Sequence, residues 1–261
     1  MSSFHSKAIY GLDVCLKKQL IATCSSDRTA RLWSYTHASH FQHEVVHDTK
    51  AEAYSIAFHP SGLHLVIGLS DQVKLLNILD KRLEAYKSIP IKECREIVFS
   101  NGGHLFACQN DKDIWVYKFY TAQIPATFKF AAHTQPVKRI CWLEDDSGFI
   151  SCGQDAMLYV WKLYPQQPDQ HGQGGETNPI MQWNRNKISF SSIAVFRSPD
   201  PKESTQPIIY VSGSDRSIRE IKDGEETLRY EENVTYSQIL TGYMRRLIVA
   251  GVSESDRPGS I

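Results

Sequence analysis

No apolar run in these 261 residues approaches the roughly 18 to 20 that a membrane-spanning helix needs. No segment sustains the helical period of three to four residues. An excess of charge is also missing: 29 Lys and Arg face 29 Asp and Glu, and the isoelectric point is near 7.1. Phosphate binders carry a basic balance or patch, so the composition counts against a general nucleic-acid binder. The opening stretch, MSSFHSKAIYGLDVCLKK, lacks the apolar core of a signal peptide. Together these absences read as a soluble intracellular protein with no membrane insertion. Six cysteines, Cys15, Cys24, Cys94, Cys108, Cys141 and Cys152, form no CxxC pair and no zinc-ribbon spacing. Most lie in apolar runs such as LIATC and RICWL, so they read as buried thiols in a reducing compartment. Cys15/Cys24 and Cys141/Cys152 are expected to lie near each other across hairpins, as packing and not as disulfides.

What is present is a repeat. IATCSSDRTARLW (21–33) and ISCGQDAMLYVW (150–161) superimpose, and each has a histidine upstream. His5, Thr23, Asp27 and Trp33 are separated by 18, 4 and 6 residues, and so are His133, Ser151, Asp155 and Trp161. Weaker copies place Asp71 six residues before Asn77, Asp111 six before Tyr117 and Asp215 six before Ile221. The five aspartates are 44, 40, 44 and 60 residues apart. The long last interval holds two Pro-, Gly- and Gln-rich stretches, 165–179 and 197–207, that read as surface loops.

Each unit alternates strand and turn. Pro60-Ser61-Gly62, Asn101-Gly102-Gly103 and Asp145-Asp146-Ser147-Gly148 each sit between two β-rich runs. Gly and Asn supply the positive φ such turns require. The fold class is therefore all-β. A period of 40 to 45 residues with four short strands and a His…Ser/Thr…Asp…Trp pattern resembles a WD40 blade. The resemblance implies a β-propeller in which the tetrad is structural: His5, Thr23, Asp27 and Trp33, and again His133, Ser151, Asp155 and Trp161, link strands by hydrogen bonds. Unit two is partial, with His47 and Asp71 but Ile67 at the hydroxyl position and Asn77 in place of Trp. Unit three keeps Asp111 with Ala107 and Tyr117, and unit five keeps Asp215. The expected blades are 5–46, 47–89, 90–130, 133–180, 186–228 and an incomplete 232–261. About five blades and part of a sixth fall short of a seven-bladed ring, so the chain reads as an incomplete propeller from a longer protein.

Several motifs invite a chemical reading. His43-Glu44-Val45-Val46-His47 matches HExxH, the zinc-protease signature. That motif needs a helix, where positions four apart share a face. On a strand the two histidines stand about 13 Å apart, too far for a common zinc. A zinc metallohydrolase is thus the distant alternative. His37, His40, His43 and His47 read as a His-rich connector, with a metal clip as the rival reading. The GQGG run at 172–175 lacks the Gly-Lys-Ser/Thr of a phosphate loop. Trp183 and Tyr243 read as strand core or as binding anchors. The acidic stretch 220–232 reads as a solvated turn and outer strand, with a basic protein partner as the alternative. No catalytic residue, metal, cofactor or small-molecule substrate is expected.

Beyond the generic blade, FHPSGLHLVIGLSDQVKLLNIL (58–79), CREIVFSNGGHLFACQ (94–109) and WLEDDSGFISCGQDAMLYVW (142–161) resemble the cilia- and flagella-associated protein 57 family of axonemal WD-repeat proteins. The resemblance covers most of 47–261 and is weaker in the first unit. It implies a non-catalytic scaffold of the motile-cilium axoneme that supports inner dynein arm assembly and beating. Expected partners are other proteins, axonemal or dynein-arm components, and the expected location is cytoplasm, cytoskeleton and axoneme. A non-ciliary WD40 adaptor, such as a substrate receptor, is the alternative.

Overall fold

The computed structural model describes residues 4–15, 17–35, 42–80, 82–121, 128–163, 179–184, 188–196, 207–231, 236–241 and 247–251, with backbone alone at 42–44, 241 and 247–251. The loops read at 165–179 and 197–207, the GQGG run, His37, His40 and Tyr243 lie almost wholly outside these residues. Every regular element among them is a strand. No helix there is long and apolar enough to cross a membrane.

The chain divides into two compact units, Met1–Phe130 and Ala131–Ile261. The first unit holds three antiparallel sheets of four strands. Sheet 1 is β1 (Ile9–Cys15), β2 (Leu20–Ser25), β3 (Thr29–Ser34) and β4 (Gln42–Asp48). Sheet 2 is β5 (Ala53–Phe58), β6 (His64–Leu69), β7 (Val73–Ile78) and β8 (Leu83–Ile89). Sheet 3 is β9 (Ile97–Phe99), β10 (Leu105–Asn110), β11 (Asp113–Lys118) and β12 (Phe128–Phe130). The second unit holds sheet 4, β13 (Val137–Trp142), β14 (Gly148–Gly153), β15 (Met157–Lys162) and β16 (Met181–Asn184), and sheet 5, β17 (Phe190–Phe196), β18 (Ile208–Gly213), β19 (Ser217–Lys222) and β20 (Glu225–Glu231). A two-stranded sheet of β21 (Tyr236–Thr241) and β22 (Leu247–Gly251) follows.

Strand position within a sheet explains composition. Second strands such as β10 (LFACQN) and β14 (GFISCG) are buried nearly throughout, so they read as short continuous apolar runs. Fourth strands face water, as in β8 (LEAYKSI) and β20 (EETLRYE). Sheets 1 and 2 share one core, which includes Leu32, Ile56, Phe58, Leu65 and Ile67. Each such side chain, fully buried, contributes about 1.5–3 kcal/mol. Sheets 2 and 3 share another, around Leu75, Phe99, Phe106 and Tyr117. On sheet 2, Ile56 and Phe58 are 5% and 6% exposed, beneath sheet 1. Their counterparts on β1, Leu12 and Val14, are 62% and 41% exposed.

The repeat also shows in the backbone. First strands β1, β5, β13, β17 and β21 each carry a register shift at their second residue, between Ile9 and Gly11, Ala53 and Ser55, Val137 and Arg139, Phe190 and Ser192, and Tyr236 and Gln238. Two hairpin turns use glycine as expected, with φ of 72° at Gly62 and 76° at Gly103. In the third the left-handed residue is Asp146 (φ 54°), not Gly148, because the short Asp side chain tolerates that region. None of the six cysteines is in a disulfide, and burial pushes the Cys24 thiol up to about 12 despite a backbone hydrogen bond from Gly11.

Candidate functional site

His5 stands four residues before β1, and its ring reaches across sheet 1. Its Nε2 lies 2.8 Å from Thr23 Oγ1, its Nδ1 lies 2.9 Å from Asp27 Oδ2, and Trp33 donates its indole N–H to Thr23 Oγ1 at 2.8 Å. The donor count orients the chain. Trp33 can only donate, and the ionised Asp27 can only accept. The set is therefore complete when the Thr23 hydroxyl donates to Nε2 and His5 Nδ1–H donates to Asp27. The Asp27 carboxylate also accepts from Ser6 N–H (3.0 Å), Thr29 N–H (3.0 Å) and the Thr29 hydroxyl (2.7 Å). Burial alone pushes the Asp27 carboxyl up, but these bonds outweigh it and hold the group well below the usual carboxylate range.

Sheet 4 repeats the construction. His133 stands four residues before β13, with Nε2 2.8 Å from Ser151 Oγ and Nδ1 3.0 Å from Asp155 Oδ2. Trp161 donates to Ser151 Oγ at 2.8 Å, and Thr134 N–H and Met157 N–H donate to Asp155 at 2.8 and 3.1 Å. Burial raises the Asp155 carboxyl, and the hydrogen bond from His133 with those from the two backbone donors brings it below its ordinary value. Asp155, His133 and Ser151 run in the order of a nucleophilic triad. Ser151 is nonetheless 0% exposed and capped by the Trp161 N–H, so no substrate carbonyl can reach its oxygen.

The partial units are built otherwise. His47 lies in β4, paired with Ala30 in sheet 1, and donates to the Leu83 carbonyl. The position four residues before β5 belongs to Thr49, which is buried and donates to the Ala51 carbonyl at 2.6 Å. The assignment of His47 to a tetrad position is thus corrected by two residues. Asp71 is exposed in the β6–β7 turn, and Asn77, in the tryptophan position, accepts from His64 Nδ1 at 2.9 Å. Asp111 is exposed and left-handed (φ 57°) in the tight turn closed by Asn110 and Asp113. Neither aspartate is a buried acceptor.

Asp215 finds a partner that the spacing did not suggest. Arg219, 0% exposed on β19, grips it through Nη1 (3.1 Å) and Nη2. The Ser217 hydroxyl donates at 2.8 Å, and Arg229 adds a contact at 3.3 Å. Burial raises the Asp215 carboxyl, but the Arg219 and Ser217 bonds and the two guanidinium charges hold it below its usual value. Sheet 5 therefore replaces the His–Ser–Trp set by an Arg–Asp pair. Its only advance signal was Arg219 four residues after the aspartate.

The phrases HPSGLH and SNGGH meet in space. His59, 4% exposed, donates from Nε2 to the Gly103 carbonyl at 3.0 Å, and its Nδ1 accepts from Ser61 N–H and Oγ–H at 3.1 and 2.7 Å. Its ring packs on Phe119 and Phe99, centroids 4.6 and 5.2 Å away. These letters lock the turn of sheet 2 onto the turn of sheet 3. Trp183 is half-buried on β16 and stacks on Phe190 at 5.7 Å. The HEVVH segment is wholly on β4. Among the described residues, no three His, Cys, Asp or Glu side chains gather as a metal cluster would require.

The WD domain, G-beta repeat family matches residues 2–34 and 125–162, the two segments that hold the complete tetrads. The chain carries WD40 repeats. It is similar to proteins named cilia- and flagella-associated protein 57. Over 99% of the chain it is 33% identical to the A form of Tetrahymena thermophila, covering 21% of that protein. Over 95% of the chain it is 33% identical to the mouse protein, covering 18% of it. The chain thus spans about a fifth of the length of these curated relatives. Among solved structures, the β-propeller domain of Cps50 (Swd1) from Myceliophthora thermophila superimposes with a TM-score of 0.77 at 13% identity, over 95% of this chain and 81% of that one. The fold is that of a WD40 β-propeller.

Proposed function

We propose that the chain is a non-catalytic docking platform within a ciliary scaffold, one that supports inner dynein arm assembly on the axoneme. The observation that carries this reading is the homology, at 33% identity over 95–99% of the chain, to proteins named for cilia and flagella. The spending of the tetrads supports the non-catalytic part. The side chains of His5 and Asp27 are 2% and 4% exposed, those of His133 and Asp155 are 1% and 2%, and all are saturated by neighbours. WD40 sheets supply rigidity, and partner choice then sits in turns and loops. Axonemal and dynein-arm proteins are the partners in this reading, and the axoneme is the location.

The test is to tag the full-length protein at its own locus in ciliated cells and extract with detergent. The tag is expected to stay with the axoneme and to biotinylate inner-arm dynein subunits. Release into the soluble fraction, with no dynein neighbours, would sink the ciliary reading in favour of a general adaptor. Hydrolytic activity abolished by Glu44→Gln would overturn the non-catalytic reading.

A further inference from the structure

One edge of the first unit is built differently from the rest. Here the β1–β2, β5–β6, β7–β8 and β9–β10 turns come together with the end of β11. Aromatic rings form a ridge along it: Tyr86 to His64 at 6.2 Å, His64 to Phe119 at 5.2 Å, and Phe119 to Tyr120 at 5.3 Å. The ends of the ridge are in water, with Tyr86 47% and Tyr120 77% exposed. Beside it Leu63 and Leu79 are 49% and 38% exposed. They sit on adjoining turns, because Ile78 N–H donates to the Leu63 carbonyl at 2.8 Å. Tyrosine with aliphatic neighbours at a rigid turn edge is the composition of a binding anchor, since aromatic contact area costs little side-chain entropy.

The charges around the ridge have one dominant sign. Lys17 and Lys18 occupy the β1–β2 turn, with the Lys18 stem against Gly62. Arg82 and Lys118 flank the ridge, and Lys87 anchors the Thr121 carbonyl at 2.8 Å. The opposing acids are Asp80, Glu84 and Asp13; Glu84 already pairs with Arg82 at 3.4 Å, and the Asp13 carboxylate accepts from Phe58 N–H at 2.7 Å and Val14 N–H at 2.8 Å. The first unit has 15 Lys and Arg against 12 Asp and Glu, whereas residues 131–261 have 14 against 17. The neutral total thus divides into a positive first unit and a negative second one.

We propose that this turn edge docks an acidic peptide segment of a partner protein, its carboxylates on Lys17, Lys18 and Lys118 and an apolar side chain between Tyr86 and Tyr120. This rests on the docking-platform reading and names the chemistry of one partner. A peptide fits better than a nucleic acid. A phosphate grip uses about six to ten cationic contacts, and here fewer are present, with carboxylates interleaved. The tyrosine rings are spaced as a ridge with aliphatic neighbours, not as parallel platforms for successive bases.

The experiment is fluorescence anisotropy on the 261-residue chain with a labelled twelve-residue peptide of glutamates around two leucines. Saturable binding is expected, weakened at least about tenfold by Lys17→Glu/Lys18→Glu and by Tyr120→Ala, each with an unchanged melting temperature, since tenfold losses are usual for a removed anchor. Lys7→Glu, at the other end of β1, should leave binding unchanged. No saturable binding, equal binding of the glutamine version of the peptide, or insensitivity to the Lys17/Lys18 and Tyr120 variants overturns the proposal. So does a twelve-nucleotide single-stranded RNA that binds more tightly and loses affinity in the same variants. Peptide binding and axonemal retention are separate readouts, so failure of one is not failure of the other.

Discussion

Trp161 donates its indole N–H to the Ser151 hydroxyl across 2.8 Å, from the third strand of sheet 4 to the second. Ser151 has one proton and sends it on to His133, so the tryptophan fixes the direction of the whole chain to Asp155. Trp161→Phe keeps most of the ring but removes the donor. Unfolding in urea should show a loss of about 1–2 kcal/mol, the worth of a buried hydrogen bond with its partner left short. A larger loss, about 3–5 kcal/mol, is expected for Trp161→Ala, which also empties a 0%-exposed site.

The corrected register makes a paired prediction. His5→Ala strips a partner from both Thr23 and Asp27 and should cost about 2–4 kcal/mol, because a buried carboxylate loses its hydrogen bond. His47→Ala removes one bond to a carbonyl on a half-exposed strand, and should cost about 1 kcal/mol or less. Chemical denaturation of the two variants side by side checks this, and equal costs would return His47 to a tetrad.

The tetrad carboxylates predict the acid limb of stability. Asp27 and Asp155 titrate below the usual Asp value of 3.8 in the folded chain, so the folded state binds fewer protons than the unfolded one in that range. Their contribution is fully present above the unfolded value and is lost as pH falls through the depressed folded values. Melting temperature should hold above about pH 5 and decline towards pH 2, and Asp155→Asn should lower the plateau while flattening that decline. A steeper decline in the variant would contradict the assignment.

Gly103 sits at φ 76°, and a Cβ there would stand 2.6 Å from His59 Nε2. Gly103→Ala should therefore destabilise by about 1–3 kcal/mol through backbone strain and loss of the His59 anchor. Combined with His59→Ala, which removes the obstructing ring, the second cost should be less than additive. Calorimetry on the two single variants and the double variant measures it.

Two tetrads were legible because four chemically demanding positions recurred at one spacing, and the structure places those eight residues in two hydrogen-bonded sets. Unit two was not legible in the same way. Its position before β5 holds Thr49, and the nearest histidine, His47, belongs to the neighbouring strand pairing. Strand starts fix such positions, and a lone letter does not. The Arg219–Asp215 pair was invisible for another reason. An arginine on a strand near an acidic run looks like solvated surface, and only packing shows that its guanidinium is wholly covered. The HPSGLH and SNGGH phrases lie outside the tetrad pattern, yet His59 and Gly103 form the joint between two turns.

Leu12 and Val14 meet water where Ile56 and Phe58 meet sheet 1. Within the first unit, sheet 2 is clasped from both sides, whereas sheet 1 leans on one neighbour. Its amide protons should therefore be traded for solvent deuterium sooner than those of β6, since opening it breaks one interface and not two. Any protein that lies against β1, covering Leu12 and Val14, acts as a brake on that opening.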